Sequence, residues 1–306
     1  ARSCVSETEV DMDLLGDGTD SEMGGIMEHV ERAGIHSGDS ACILPPQNLT
    51  SDVLRRLEEQ GKILARELRV KGLMNIQFAV KDDEIFLIEV NPRASRTVPF
   101  VSKSIGHPLA KYATWLMLGQ KLSDIGFSYE TPESVSVKET VFPFISFSGA
   151  DTELGPEMKS TGEVMGRGEN LEDAFMKAQV AAYQSEIKEG HIFIGVTDQD
   201  KQGMVPAALK FQKAGRKILA TEGTYKVLQK AGVTNIEKTS LDRENPDNIF
   251  DYIDRKEVAL IVNTTCPRKR TVDAKHTRRV ALMRTLPYFT ICLLYTTYAD
   301  VDPTLV

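Results

Sequence analysis

The sequence predicts an α/β protein in two parts, an α+β portion followed by a doubly wound parallel sheet. Three observations carry this. Residues 73–80 (LMNIQFAV) and 84–90 (EIFLIEV) are apolar runs around Lys81-Asp82-Asp83, the pattern of a β-hairpin. Residues 49–70 place Val53, Leu54, Leu57, Ile63, Leu64 and Leu68 at helical spacing behind a Thr50 or Ser51 cap. From His191 onward the strands HIFIGVT, KILAT and VALIVNTT alternate with helical stretches at 203–214, 224–231, 246–256 and 271–283.

The remaining elements follow in order. Residues 7–48 read as short strands joined by turns, and 107–118 as a helix with Pro108 in its first turn. A stretch marked by Gly and Pro (147–166) breaks the periodicity, a helix follows around 171–187, and Lys188-Glu189-Gly190 marks a boundary. The expected division is 1–120, a helical and irregular connection over 121–189, the parallel sheet over 190–290, and an atypical tail over 291–306. Residues 1–8 and the tail look foreign to the rest of the chain.

Bulk composition narrows the function. A chain of 306 residues, 41% hydrophobic and 26% charged, is long enough for two cores. Its net charge of −7 gives no diffuse basic surface, so nucleic acid is not an expected partner. The longest apolar runs are far short of a membrane span, and residues 1–15 lack the features of a signal peptide. Cys4, Cys42, Cys266 and Cys292 are scattered without paired spacing, which favours unpaired thiols in a reducing, cytoplasmic setting.

Two constellations carry chemistry. In the hairpin, Gln77 lies mid-strand, and Glu89 and Asn91 are two apart on the next strand, so they share a face. Arg93 and Arg96 follow. Hard oxygen ligands suit Mg²⁺ beside substrate phosphates, and the arginines suit phosphoryl oxygens. A polar sheet face with a surface ion pair explains the same spacing equally well. In the second part, Ala220-Thr221-Glu222-Gly223-Thr224 and Asn263-Thr264-Thr265 each follow a strand, where open parallel sheets bind ligands. Thr224 is also a plausible helix cap. Lys201, Lys238 and the run at 268–270 offer positive charge, although such a run alone reads as a solvated loop.

The exact strings go further. FLIEVNPRASRTVPFVSK (86–103) resembles the C-terminal metal-binding strand of ATP-grasp enzymes, in the form seen in carbamoyl-phosphate synthase large chains. GLMNIQFAV (72–80), GGIMEHVERAGIHSGDSACILP (24–45), SVKETVFPF (136–144) and LGPEMKSTGEVMG (154–166) resemble that family in order and spacing. The likeness runs from about residue 9 to about 290 and fits the second synthetase half with its methylglyoxal-synthase-like regulatory domain.

The resemblance implies ATP and Mg²⁺ or Mn²⁺ as cofactors, carbamate as substrate, and a glutamine amidotransferase small subunit as partner of the parent enzyme. It implies that Gln77, Glu89 and Asn91 hold the metal, with Gln77 and Glu89 also meeting the nucleotide. Arg93 and Arg96 would face the phosphoryl group. Glu9 matches the ribose contact, and Ile35, His36 and Ser37 the turn beside the nucleotide. His36 is expected to bind rather than to transfer protons, since an anionic carbamate oxygen needs no strong base. Members that respond to ornithine bind it through acids matching Glu31, Asp39 and Glu139. A nucleotide effector would occupy Lys201, Thr221, Thr224, Lys238, Asn263 and Thr265. Glu222 departs from the family's loop and would weaken a phosphate there, and no methylglyoxal-synthase catalytic set is evident.

The family's chain is several times longer, so these residues alone are expected to lack synthase activity. Two other readings compete: a free-standing nucleotide-binding regulatory module, and another ATP-grasp ligase such as a biotin carboxylase.

Overall fold

A computed structural model describes residues 7–146, 154–183, 189–264, 277, 279–281, 284 and 286–289. Residues 1–6, Thr265, the basic run at 268–270, most of the expected helix at 271–283 and the tail at 291–306 lie outside these. The chain divides into two compact units, Ala1–Thr140 with Leu154–Ala174, and Val141–Glu153 with Phe175–Val306.

The first unit is built on seven strands: β1 (Thr8–Asp17), β2 (Ser21–Arg32), β3 (Cys42–Leu44), β4 (Lys71–Lys81), β5 (Glu84–Asn91), β6 (Val135–Val141) and β7 (Gly162–Gly168). Their order is β5-β4-β1-β2-β3-β6-β7. Residues 121–189, expected to be helical and irregular, thus supply two strands. The β6 pattern VSVKETV hides its strand character because Lys138 and Glu139 are polar yet buried. Alternation along β1 sorts the two faces. Val10, Met12 and Leu14 pack with Val53, Leu57 and Ala65 of helix α1 (Ser51–Glu67), which Thr50 caps by accepting from the Val53 amide. Leu15, on the opposite face, packs with Val98, Val101, Leu109 and Leu116.

Those last residues belong to two helices where one was expected. Helix α2 (Val98–Ile105) ends at Gly106 in the left-handed region, and α3 (Leu109–Met117) follows with Pro108 at its cap. Pro99 sits in the first turn of α2, where a missing N–H costs nothing. A short helix, α4 (Leu122–Ile125), completes this face. Gly16 fits tightly: a Cβ there would lie 2.5 Å from the Val70 carbonyl oxygen, and backbone cannot step aside cheaply. Gly16→Ala is therefore expected to destabilise this unit by about 2–3 kcal/mol in urea unfolding followed by Trp115 fluorescence.

Helix α5 (Leu171–Tyr183) spans the division between the units. The second unit alternates strands and helices: β8 (His191–Gly195), α6 (Met204–Lys213), β9 (Ile218–Ala220), α7 (Glu222–Lys230), β10 (Ile236–Lys238), α8 (Ile249–Asp254), β11 (Val258–Asn263) and β12 (Tyr288–Phe289). All pairs are parallel, in the order β10-β9-β8-β11-β12. Phe193, Leu219 and Ile261 pack with Ile249, Phe250 and Ile253 of α8, and the alternate residues Ile192, Ile194 and Val262 are buried too. Burial on both faces is the expected parallel-sheet arrangement. The strand order reverses between β8 and β11. No described helix is long and apolar enough to cross a membrane.

Candidate functional site

Register brings the polar residues of the hairpin side by side. Gln77 lies opposite Glu89 on one side and Asp11 on the other. Two residues along, Asn75 lies opposite both Asn91 and Asp13. Two polar rows therefore cross β5, β4 and β1 on one face. A bulge between Gln77 and Phe78 leaves Ile88 without a partner in the β4–β5 pairing, and bulges of this kind re-aim side chains at functional edges.

Gln77 donates from Nε2 to Ser37 Oγ at 2.7 Å, which leaves its carbonyl oxygen for a cation. Glu89 is exposed at the sheet edge. Asn91 Oδ1 accepts from Arg93 at 3.2 Å, and Arg93 also donates to the Ala94 carbonyl. Arg96 reaches Met158 Sδ at 2.9 Å. The donor set is three hard oxygens on adjacent strands, and it fits a small divalent ion.

The expected nucleotide turn also lies here. His36 caps the turn Ser37–Asp39 by accepting from the Gly38 amide at 3.0 Å. Ile35 is half-buried. Glu9 is buried, 4.0 Å from His29, and burial followed by the Asp11 charge raises its carboxyl above the usual range, outweighing His29. Asp39 accepts the Lys159 and Ser160 amides at 2.8–3.0 Å, and Glu31 accepts the Ala41 amide at 2.7 Å. Glu139 is buried and accepts the Thr140 amide. Two of the three expected ornithine acids thus brace the backbone of this turn.

Sequence reasoning missed the buried β1 end of these rows. Asp13 accepts from Asn75 (3.0 Å), Ser95 (2.9 Å) and Thr97 (2.7 Å), so it anchors the turn that carries Arg93 and Arg96. Burial raises its carboxyl to about 6. Asp11 meets His29 Nε2 at 3.0 Å, His29 lies opposite Cys42, and Cys42 lies opposite Lys138. Asp11, His29 and Cys42 could together ligate a metal. The buried Lys138 ammonium in the next strand opposes a dication there. Burial favours its neutral form, yet the charges of Cys42, Glu163, Asp11 and Glu31 outweigh that and raise it. The only available sequence signal was Asp11 and Asp13 alternating with apolar residues in β1.

Of the residues expected in the second unit, Lys201 follows β8, Thr221 and Thr224 follow β9, Lys238 ends β10 and Asn263 ends β11, while Thr265 lies outside the described residues. Thr221, not Thr224, holds the N-cap position of α7, where its hydroxyl donates to Thr224 Oγ1 at 3.1 Å rather than capping an amide. Thr224 is buried, accepting from the Val196 amide at 3.3 Å. Lys201 pairs with Asp198, and its ammonium lies over Gly223, where an added Cβ would come within 2.6 Å. Asn263 is buried and donates to the Tyr288 hydroxyl at 3.2 Å. Lys238 ends β10 and is exposed. Glu222, expected to crowd a phosphate, is exposed and pairs with Lys226 at 2.8 Å; that bond, the Lys226 charge and then Lys238 hold its carboxyl low.

The fold is an α/β portion that carries the polar rows, followed by a parallel-sheet domain, and the family models give each part its class. Residues 2–125 match the family model described as carbamoyl-phosphate synthase L chain, ATP binding domain, and residues 203–290 match the MGS-like domain. The carbamoyl phosphate synthase large chain of Methanothermobacter thermautotrophicus is 48% identical over 92% of this chain, which covers 27% of that protein. Those of Methanobrevibacter smithii and Pasteurella multocida are each 49% identical, over 92% and 90% of this chain and 27% and 26% of theirs. A solved biotin carboxylase domain of a single-chain bacterial carboxylase aligns over 59% of this chain and 47% of its own, at 16% identity and a TM-score of 0.47. The chain belongs to the carbamoyl phosphate synthase large-chain family and corresponds to its C-terminal region. It spans about a quarter of the length of the relatives it matches.

Proposed function

We propose that this chain forms the metal-binding wall of an ATP-dependent site that phosphorylates carbamate, followed in sequence by a nucleotide effector domain. The parent enzyme would be a cytoplasmic carbamoyl-phosphate synthase serving arginine and pyrimidine synthesis, with a glutamine amidotransferase small subunit. The carrying observation is the register that sets Gln77 opposite Glu89 with Asn91 two residues along. Mg²⁺ or Mn²⁺ bound there would neutralise charge on the nucleotide phosphates. Arg93 and Arg96, on the turn tied to Asp13, would orient and stabilise the transferred phosphoryl group. Glu9 and the turn Ile35-His36-Ser37 would hold the nucleoside. An ornithine ammonium would meet Glu31, Asp39 and Glu139. The test is a graft of residues 7–289 in place of the matching region of the Methanothermobacter relative. Carbamoyl phosphate formed from ATP and carbamate supports the reading; a folded graft that forms none contradicts it.

For the effector domain, the supporting observation is the Lys201 ammonium over the first turn of α7. A helix N-terminus and an ammonium beside it both favour an anion, in addition to the Asp198 carboxylate that pairs with Lys201. Phosphate of a mononucleotide such as UMP or IMP suits this place, with Thr221, Thr224, Lys238 and Asn263 as its further contacts. Gly223→Ala displaces a flexible ammonium rather than backbone. The expected result is an unchanged melting temperature with UMP and IMP bound about tenfold more weakly in calorimetric titration.

A further inference from the structure

The order β10-β9-β8-β11-β12 reverses between β8 and β11, and the crevice beyond such a reversal is where open parallel sheets take ligands. One carboxylate spans it. Asp200 Oδ2 accepts from the Thr197 hydroxyl, after β8, at 2.6 Å, and from the Thr264 hydroxyl, after β11, also at 2.6 Å. Thr264 Oγ1 in turn accepts from the Thr197 amide at 2.9 Å, which closes a ring across the two strands. The Asp200 amide donates to the Thr197 carbonyl at 3.0 Å, and the Asp200 carbonyl accepts the Met204 amide at the start of α6. Hydroxyl bonds to a carboxylate of this length are at the strong end of the range. The next residue is Lys201, and the residue before Thr264 is Asn263.

We propose that Asp200 is a positioning residue, a latch that holds the Lys201-bearing loop against the end of β11 and so sets the affinity of the effector site. The positioning role rests on the effector reading; the latch itself does not. Without the carboxylate, both hydroxyls lose this acceptor, and the Thr197 amide bond to Thr264 Oγ1 remains. Lys201 is then held less closely to Asn263.

The latch is read directly by amide exchange over residues 196–201 in the ligand-free full chain. Asp200→Ala and Thr264→Val should each speed exchange about tenfold, whereas Thr264→Ser, which keeps the hydroxyl, should stay near the parent rate. Titration with UMP and IMP should give dissociation constants about tenfold higher for the same two variants. Asp200→Ala should add little to Lys201→Ala, because both act on one contact. Should Asp200→Ala fail to fold, the two Thr264 variants carry the test alone. Unchanged exchange overturns the latch, and faster exchange with unchanged affinity overturns its positioning role. If the parent binds neither nucleotide while exchange still responds, the effector reading and the positioning role fall together and the latch stands as a brace.

Discussion

Replacing Glu89 with alanine in the graft is expected to lower carbamate phosphorylation about a thousandfold, near 4 kcal/mol of transition-state stabilisation. Glu89 is the one carboxylate among the three expected metal ligands, and it stands at the sheet edge opposite Gln77. Removing it takes away a full charge and a hard oxygen donor together. The variant graft should unfold in urea at the parent's midpoint, which separates lost chemistry from lost folding. Glu89→Gln keeps the shape and one oxygen, so it should fall between the two. A Glu89→Ala graft within threefold of its parent would mean that the row is only a polar sheet face.

The second large effect is on stability. Asp13 is fully buried and accepts three side-chain bonds. Asp13→Ala strands the Asn75, Ser95 and Thr97 donors and is expected to destabilise the first unit by about 4 kcal/mol. Asp13→Asn keeps two acceptor bonds and can donate to Thr97, so its cost should be smaller. The ionisable group also sets a pH dependence. The folded carboxyl titrates at about 6 against 3.8 unfolded, so the folded state binds more protons between those values. Stability from this group is therefore greatest below about pH 4, falls as pH rises through 6, and is flat above. The loss is on the order of 3 kcal/mol. Urea unfolding read by Trp115, the chain's single tryptophan, should show the parent losing that much relative to Asp13→Asn between pH 4 and 7. A constant difference would place the carboxyl's titration elsewhere.

What could be read from the chain was local. The hairpin was legible because Asp82 and Asp83 take positive φ in a two-residue turn between alternating runs, and Glu89 and Asn91 share a face by spacing alone. The βα alternation gave the parallel sheet for the same reason. Helix α2 was not legible, since Pro99 reads as a breaker until the helix start is known. Strand β6 was hidden by Lys138, which is buried although its residue type is ordinarily exposed. Asp13 reaches Ser95 and Thr97 across more than 80 residues, and Asp200 reaches Thr264 across 64. Such contacts depend on strand order, which no local pattern encodes.

The most direct measurement is the initial rate of carbamate-dependent ADP formation, taken on the graft with and without UMP and on the chain by itself. The graft should turn over ATP with carbamate, its rate should respond to UMP, and residues 1–306 alone should show no turnover. A folded graft without carbamate-dependent turnover, or an active chain alone, would contradict the account.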